Sequence, residues 1–216
     1  MKIEINQFDP IGGCGYIIGD DFRGRAFYNQ NLRVENFRYC DLRGADLSKA
    51  IIDFTTCFDD AIFDEHTKMP DIPMTCPEEG EFIGYKKAMR FAFRDTWTPS
   101  ARCIVKLLIP ADAKRSSGVG RKCRCDKAKV LEITTIDGKP VEAAASMYDK
   151  LFVYILGETV GVCDFDECRW HECTRGIHFF MTREEAVEYR GLFYNNNRTN
   201  FSPYNEEVTN LQNTIL

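Results

Sequence analysis

The sequence predicts a protein of mixed β and α+β class, in which a five-residue repeat precedes a compact α+β domain. Large apolar residues return at every fifth position from Phe22 to Ile52. This period is neither that of a helix nor that of a strand, so it indicates an internal repeat. Proline-rich residues 69–78 form a predicted linker to the α+β domain at residues 79–192, and a polar tail follows at residues 193–216.

The clearest repeat unit runs from Ala45 to Lys49, with a small residue two positions before the apolar centre Leu47. This pattern resembles the pentapeptide-repeat family, whose unit is A(D/N)LXX. The resemblance implies a short right-handed quadrilateral β-helix, a solenoid of about two coils over residues 21–68, behind a strand and cap at residues 1–20. The frame slips by one residue after Ile52, which predicts a bulged corner or a loosened last turn. The expected inward-facing centres are Phe27, Leu32, Phe37, Leu42, Leu47, Ile52, Phe58 and Phe63.

The bulk composition favours a soluble, cytoplasmic protein. The net charge of −5 over 216 residues gives no global attraction to nucleic acid or to an anionic membrane. No apolar run reaches the ~20 residues that a membrane-spanning helix needs. The first residues lack a secretory pattern, so we expect the ten cysteines to stay reduced.

Several shorter patterns predict individual elements. Met1–Asn6 alternates like a strand, and the dense apolar run Cys103–Ile109 favours a buried strand. Lys129–Ile136, followed directly by Asp-Gly, is typical of a hairpin. Thr182 is expected to begin a helix in a capping box with Glu185.

The stretch from Glu172 to Phe180 is the most distinctive of the second domain. Together with Arg121–Arg124 and Ile109–Lys114, it resembles an uncharacterised domain that follows pentapeptide repeats in bacteriophage and bacterial proteins. The resemblance implies a phage-encoded protein acting in the host cytoplasm, and it brings no established activity.

Cys173 and His178 are the candidate catalytic residues. A histidine beside a cysteine can activate the thiolate as a nucleophile. The two residues lie five positions apart, and no third orienting group is visible. A buried thiol and a hydrogen-bonded core histidine explain the same residues.

Thiols and an imidazole in the second domain are weak candidates for a metal site. A structural zinc site needs ligand pairs at short, regular spacing, and the spacing here is irregular. We therefore expect no metal and no other cofactor. The candidate ligands are Cys163, Cys168, His171 and Cys173.

A basic, glycine-containing loop spans residues 114–129. Glycines let backbone amides approach an anion, and arginine or lysine adds charge, so the loop could bind phosphate or nucleic acid. Charged loops are also common solvated surface. The candidate anion-binding residues are Lys114, Arg115, Arg121, Lys122 and Arg124.

A local resemblance links Gly176–Phe179 and the helix that follows, with Ala186 and Tyr189, to a strand and helix of ADP-ribosyltransferases. That family continues with more strands and a catalytic glutamate. Here an asparagine-rich tail follows, so the acid has no matching position.

These observations favour a non-catalytic interaction or scaffold protein with a protein partner, acting on host machinery or a host defence system. One alternative is a nucleotide- or nucleic-acid-binding domain or an ADP-ribosyltransferase-like enzyme. Another is a virion structural component that oligomerises through the open end of the repeat.

Overall fold

The computed structural model describes residue 17, residues 19–90 and residues 102–189. The predicted N-terminal strand at Met1–Asn6 and the polar tail at residues 193–216 lie outside this part of the chain. The described elements, in chain order, are β1 (Phe82–Arg90), β2 (Arg102–Ile109), β3 (Arg115–Ser117), β4 (Cys123–Cys125), β5 (Lys127–Thr135), β6 (Ala143–Ala145), β7 (Val153–Ile155), β8 (Thr159–Gly161), β9 (Ile177–Phe179) and α1 (Arg183–Glu188).

The strands form two antiparallel sheets. The larger has the order β7-β6-β1-β2-β5-β8, and the smaller has the order β3-β4-β9. An isolated antiparallel bridge between Tyr85 and Phe180 joins them. β2 is central in the larger sheet, which agrees with the buried strand predicted from its apolar run. Its pairing with β5 shifts register between Lys106 and Leu107.

Strand side chains from both sheets share one hydrophobic core. Val105, Leu107 and Ile109 of β2 are fully buried beside Phe179 of β9. The smaller sheet therefore packs onto the larger through apolar contacts as well as through the bridge at Tyr85. Cys76, from the proline-rich segment, is buried in the same core, and this holds that segment against the sheets.

Residues 21–68 are linked by six isolated parallel bridges between residues 20 to 22 positions apart, from Asp21–Asp41 to Asp46–Lys68. The expected inward centres share a second core. Six of them are buried, namely Phe27, Leu32, Phe37, Leu42, Leu47 and Phe58, whereas Ile52 and Phe63 are partly buried against them. Aromatic rings dominate this core, with Phe37 and Phe58 stacked at 5.3 Å between centroids.

The predicted fold class is wrong in both of its parts. Residues 21–68 contain isolated bridges and turns but no β-strand, so a β-helix or solenoid is not the class of this fold. Each five-residue unit bends after one bridged residue, so two consecutive residues do not pair as they would in a strand. Asn29, Val34 and Tyr39 take left-handed backbone at these bends. In place of an α+β domain, the described residues between 82 and 188 hold nine strands, of three to nine residues each, and a single six-residue helix. The fold is therefore a small antiparallel β-sheet domain preceded by the turn-rich repeat.

Short-range predictions fared better. α1 begins after Thr182 with both hydrogen bonds of the capping box present. The turn of the predicted hairpin after β5 is present, because the Thr135 amide donates to the Lys139 carbonyl and Gly138 has φ +87°. The returning residues meet β5 at an isolated Thr134–Pro140 bridge and form no strand against it. Within the described residues, no helix is long and apolar enough to cross a membrane.

Candidate functional site

The segment between β8 and β9, residues 163–176, contacts both the repeat and the sheets, and we call it the docking loop. Its Trp170 ring meets Phe58 of the repeat edge-on at 6.4 Å, and its His171 ring lies 5.7 Å from Phe63. The His171 Nε2 atom also lies 2.9 Å from the carbonyl oxygen of Ala61. The docking loop therefore connects the last units of the repeat to the sheet domain.

Arg124 in β4 fixes the conformation of the docking loop from inside. The residue is 1% exposed, and its guanidinium donates to the carbonyls of Asp166, Cys168 and Arg175 at 2.8 to 2.9 Å. Burial lowers the pKa of Arg124, but a guanidinium keeps its proton in proteins. A buried cation that satisfies three loop carbonyls in this way serves a structural role.

Glycines in the β3–β4 loop make room for Glu172 of the docking loop. A Cβ atom at Gly118 would lie 2.6 Å from Glu172 Oε1, and one at Gly120 would lie 2.8 Å from Oε2. The Gly120 amide instead donates to Glu172 Oε1 at 2.5 Å. Burial raises the pKa of Glu172, and the Gly120 amide bond partly offsets this effect. These glycines suggested a phosphate-binding loop, but the space beside them is filled by a carboxylate of the same chain.

Lys122, Cys173 and Asp59 meet where the docking loop reaches the repeat. Lys122 is 5% exposed and donates from Nζ to the Cys173 sulfur at 2.9 Å. The Cys173 amide donates to Asp59 Oδ1 at 2.9 Å, and Arg38 donates to Asp59 Oδ2 at 3.0 Å. This cluster combines side chains from the repeat, the β3–β4 loop and the docking loop.

The acidic groups of this cluster differ in their protonation states. Burial raises the pKa of Asp59, but the Cys173 amide and the Lys122 and Arg38 cations outweigh it, and the net pKa is lowered. The dense protein surroundings raise the pKa of the Cys173 thiol, although its side chain reaches solvent, and Lys122 opposes the rise. Burial raises the pKa of Cys57, the neighbouring thiol, to about 12. Asp59 is thus the anion that balances Arg38 and Lys122, whereas the thiols hold their protons near neutral pH.

His178 occupies the same neighbourhood but bonds elsewhere. Its Nε2 atom lies 3.1 Å from the Glu172 carbonyl oxygen, and its own carbonyl accepts from Lys86 Nζ at 3.1 Å. Burial, together with the Lys122 and Lys86 cations, lowers the pKa of His178 well below its ordinary value. The imidazole is therefore neutral. The two candidate catalytic residues come close in the fold, but the partner of the Cys173 sulfur is an ammonium group.

The candidate anion-binding residues are engaged within the chain. Lys114 pairs with Glu167, and Arg121 pairs with Glu185 at 2.6 Å. Arg115 donates to four backbone carbonyls, of Gly80, Pro110, Ala111 and Ala113. Lys122 and Arg124 have the partners described above, so each of the five candidate residues makes a hydrogen bond or ion pair within the chain.

The candidate metal ligands are dispersed rather than convergent. Cys163 is exposed, and the Cys173 sulfur faces Lys122. Both ring nitrogens of His171 have partners, because Nδ1 lies 2.9 Å from Asp166 Oδ2 and Nε2 meets the Ala61 carbonyl. Within residues 19–90 and 102–189, no three histidine, cysteine or acidic side chains are grouped to hold a metal ion.

Sequence reasoning missed Asp59 and Glu172. Asp59 directly follows the apolar centre Phe58, as other charged residues of the repeat follow theirs, yet it is only 7% exposed. Its position just after the frame slip is the only local signal that it differs from the other repeat aspartates. Glu172 had no such signal, since its pairing with Gly118 and Gly120 spans more than fifty residues.

The described surface also has an open depression at a different place. It lies on the larger sheet beside the start of α1, and neither Cys173, His178 nor the basic loop lines it. The lining residues are Tyr85, Ile104, Lys106, Glu132, Thr134 and Arg183.

The fold and the site together describe a small antiparallel β-sheet domain. The buried Arg124 holds its docking loop, and this loop contacts the five-residue repeat. The chain belongs to a family of unknown function (DUF5758), whose model matches residues 72–186. The match includes the docking loop and the β3–β4 loop but ends short of the repeat. Neither the curated proteins nor the solved structures include a match to this chain.

Proposed function

We propose that this is a non-catalytic interaction protein that binds a protein partner through the outer surface of the five-residue repeat. The observation that supports the proposal most is the placement of Val34 and Tyr39. Both have left-handed backbone, with φ 61° and 63°, and both side chains are exposed, at 61% and 56%. A β-branched valine is strained in this conformation, which glycine or asparagine adopts at little cost.

Equivalent bends of the same repeat show the less strained solution. Gly24, Gly44 and Asn29 take left-handed backbone at other units. At Val34 and Tyr39 the chain instead accepts strain and exposes apolar side chains. Other exposed apolar side chains lie on the repeat, namely Tyr28, Ile51, Phe54 and Ile62. Exposed apolar groups rimmed by charges are typical of protein-binding surfaces.

Two further features support a binding role over a catalytic one. The polar groups that suggested catalysis or anion binding are occupied by partners within the chain, and the open depression contains none of them. Given the resemblance to repeat proteins of bacteriophages, the proposed setting is the host cytoplasm, and the proposed partner is a component of host machinery or of a host defence system.

Replacement of both strained residues tests the proposal. The V34N/Y39N variant introduces asparagines, which tolerate left-handed backbone, so we expect its stability to equal or exceed that of the wild type. Wild-type chain immobilised in host lysate should enrich a specific protein, and the variant should lose at least about tenfold of that enrichment. The matched control is L151N, because Leu151 is 92% exposed but lies in the sheet domain; it should enrich the same protein as the wild type. Equal enrichment by V34N/Y39N, or no specific protein with the wild type, would exclude the repeat surface as the binding site.

A further inference from the structure

Lys122 has an unusual environment for a buried lysine. Its side chain is almost fully enclosed. Among the described residues, its ammonium group donates a hydrogen bond to a sulfur atom, Cys173 Sγ, at 2.9 Å. The nearest carboxylates are engaged by other donors, Asp59 by Arg38 and Glu172 by Gly120. Lysine is seldom enclosed without a carboxylate bonded to it.

Cys173 has the complementary property, because the residue lies at the protein surface while its backbone amide is fixed. The residue is exposed, and its amide is held by the buried carboxylate of Asp59 at 2.9 Å. A small oxidant can therefore reach the sulfur, and the sulfur stays within bonding reach of Lys122 Nζ after it has reacted.

We propose that Lys122 and Cys173 form a covalent nitrogen–sulfur cross-link when the protein meets hydrogen peroxide. The cysteine is the site of oxidation and the lysine is the trapping nucleophile. The product is a sulfenamide, the reversible state that sulfenic acids reach when a nitrogen nucleophile lies beside them. This inference does not depend on the proposed binding role of the repeat.

The chemistry proceeds in two balanced steps. The Cys173 thiol first loses its proton to solvent, and the resulting thiolate attacks one peroxide oxygen. The O–O bond breaks, and the departing hydroxide takes up a proton to become water. The sulfur is oxidised to a sulfenic acid and the peroxide is reduced. Lys122, after its ammonium proton passes to solvent, attacks that sulfur through Nζ. The N–S bond forms, the S–O bond breaks, and the departing hydroxide takes the remaining proton, which gives a second water.

The cross-link would join two loops that already pack together. Lys122 directly precedes β4, and Cys173 belongs to the docking loop, whose other ties to β4 are the hydrogen bonds of Arg124. A covalent bond here limits how far the docking loop can separate from the sheets, so the oxidised protein should unfold at a higher temperature than the reduced protein.

The test uses the full chain treated with hydrogen peroxide and digested for peptide mass spectrometry. We expect a peptide pair joined through Lys122 and Cys173, about 2 Da lighter than the sum of its parts and released by dithiothreitol. Among the described residues the other exposed thiol is Cys163, which is the internal control because no hydrogen bond joins it to a lysine there; it should give sulfenic or higher acids without a joined peptide.

Two variants separate the cross-link from simple oxidation. K122R keeps the positive charge but removes the reactive amine, so Cys173 should accumulate a sulfenic acid that dimedone labels. C173S, a small change at an exposed position, should abolish every joined peptide that contains Lys122, which makes the test independent of how well K122R folds. Dimedone labelling or sulfinic acid at Cys173 in the wild type without a joined peptide would overturn the proposal. So would cross-linking of Cys163 to the same extent.

Discussion

Gly84 in β1 shows how a single residue sets the packing between the two sheets. A Cβ atom at this position would lie 2.6 Å from Cδ2 of Phe179, whose ring is fully buried. The close approach of β1 and β9 at this point therefore requires the absence of a side chain. Nothing in the sequence near Gly84 shows that an aromatic ring ninety-five residues later covers it.

The G84A substitution should destabilise the fold by about 1–3 kcal/mol, because the buried ring must shift within a close-packed core. Urea unfolding followed by fluorescence measures the change. G161A is the matched control, since a Cβ there would meet its nearest atom, the Asp126 carbonyl oxygen, at 3.4 Å, an ordinary contact. If G84A unfolded at the same urea concentration as the wild type, the packing described between β1 and Phe179 would be incorrect.

At the scale of single elements, local signals were reliable where an element is specified by its own residues. α1 is a clear case, because Thr182 and Glu185 exchange hydrogen bonds at 3.2 and 3.0 Å. The dense apolar run of β2 likewise predicted a buried strand. β3 and β4 have three residues each and no local pattern, so their pairing with each other and with β9 became visible only in the fold.

The T182A substitution should cost about 1 kcal/mol of stability, because it leaves the Glu185 amide without its capping oxygen. T182S keeps that oxygen and should stay within a few tenths of a kcal/mol of the wild type. Thermal unfolding of the three proteins side by side measures both effects. Equal losses in the alanine and serine variants would show that the threonine methyl group, rather than the cap, is what matters.

At the scale of the whole molecule, His171 connects the docking loop to the repeat and makes that connection sensitive to pH. The Cys168 side chain, the Asp166 carboxylate and the Ala61 carbonyl together raise the pKa of His171 to about 10, against the opposing effect of burial. A raised histidine pKa stabilises the folded state fully below the unfolded value of ~6.5, and this stabilisation is lost as pH rises from there towards 10. The imidazolium is thus protonated across the physiological range.

The stability difference between wild type and H171Q should therefore fall as pH rises from about 6 to about 9. Comparison with the variant is needed because burial lowers the pKa of Lys86 to about 8, which makes stability rise with pH above that value in both proteins. Urea unfolding of both proteins across this range measures the difference. A difference that stayed constant with pH would mean that His171 is neutral in the folded protein.

The sequence by itself determined the five-residue period, the apolar centres that fill the repeat core, the buried run of β2 and the cap of α1. Each of these depends on residues close together in the chain. The fold class was not determined in this way. An apolar period specifies which side chains turn inward, but whether the backbone between them is extended long enough to form strands depends on the bends at Asn29, Val34 and Tyr39.

Only the tertiary structure decided what the distinctive polar residues do. Lys122, Cys173 and Asp59 come from three separate segments, and the fold gives the cysteine an ammonium partner in place of the expected imidazole. The basic loop likewise looked free to bind anions until the fold supplied it with carboxylates and carbonyls of the same chain. A charge in the sequence shows that a partner is needed, but long-range packing decides which atom provides it.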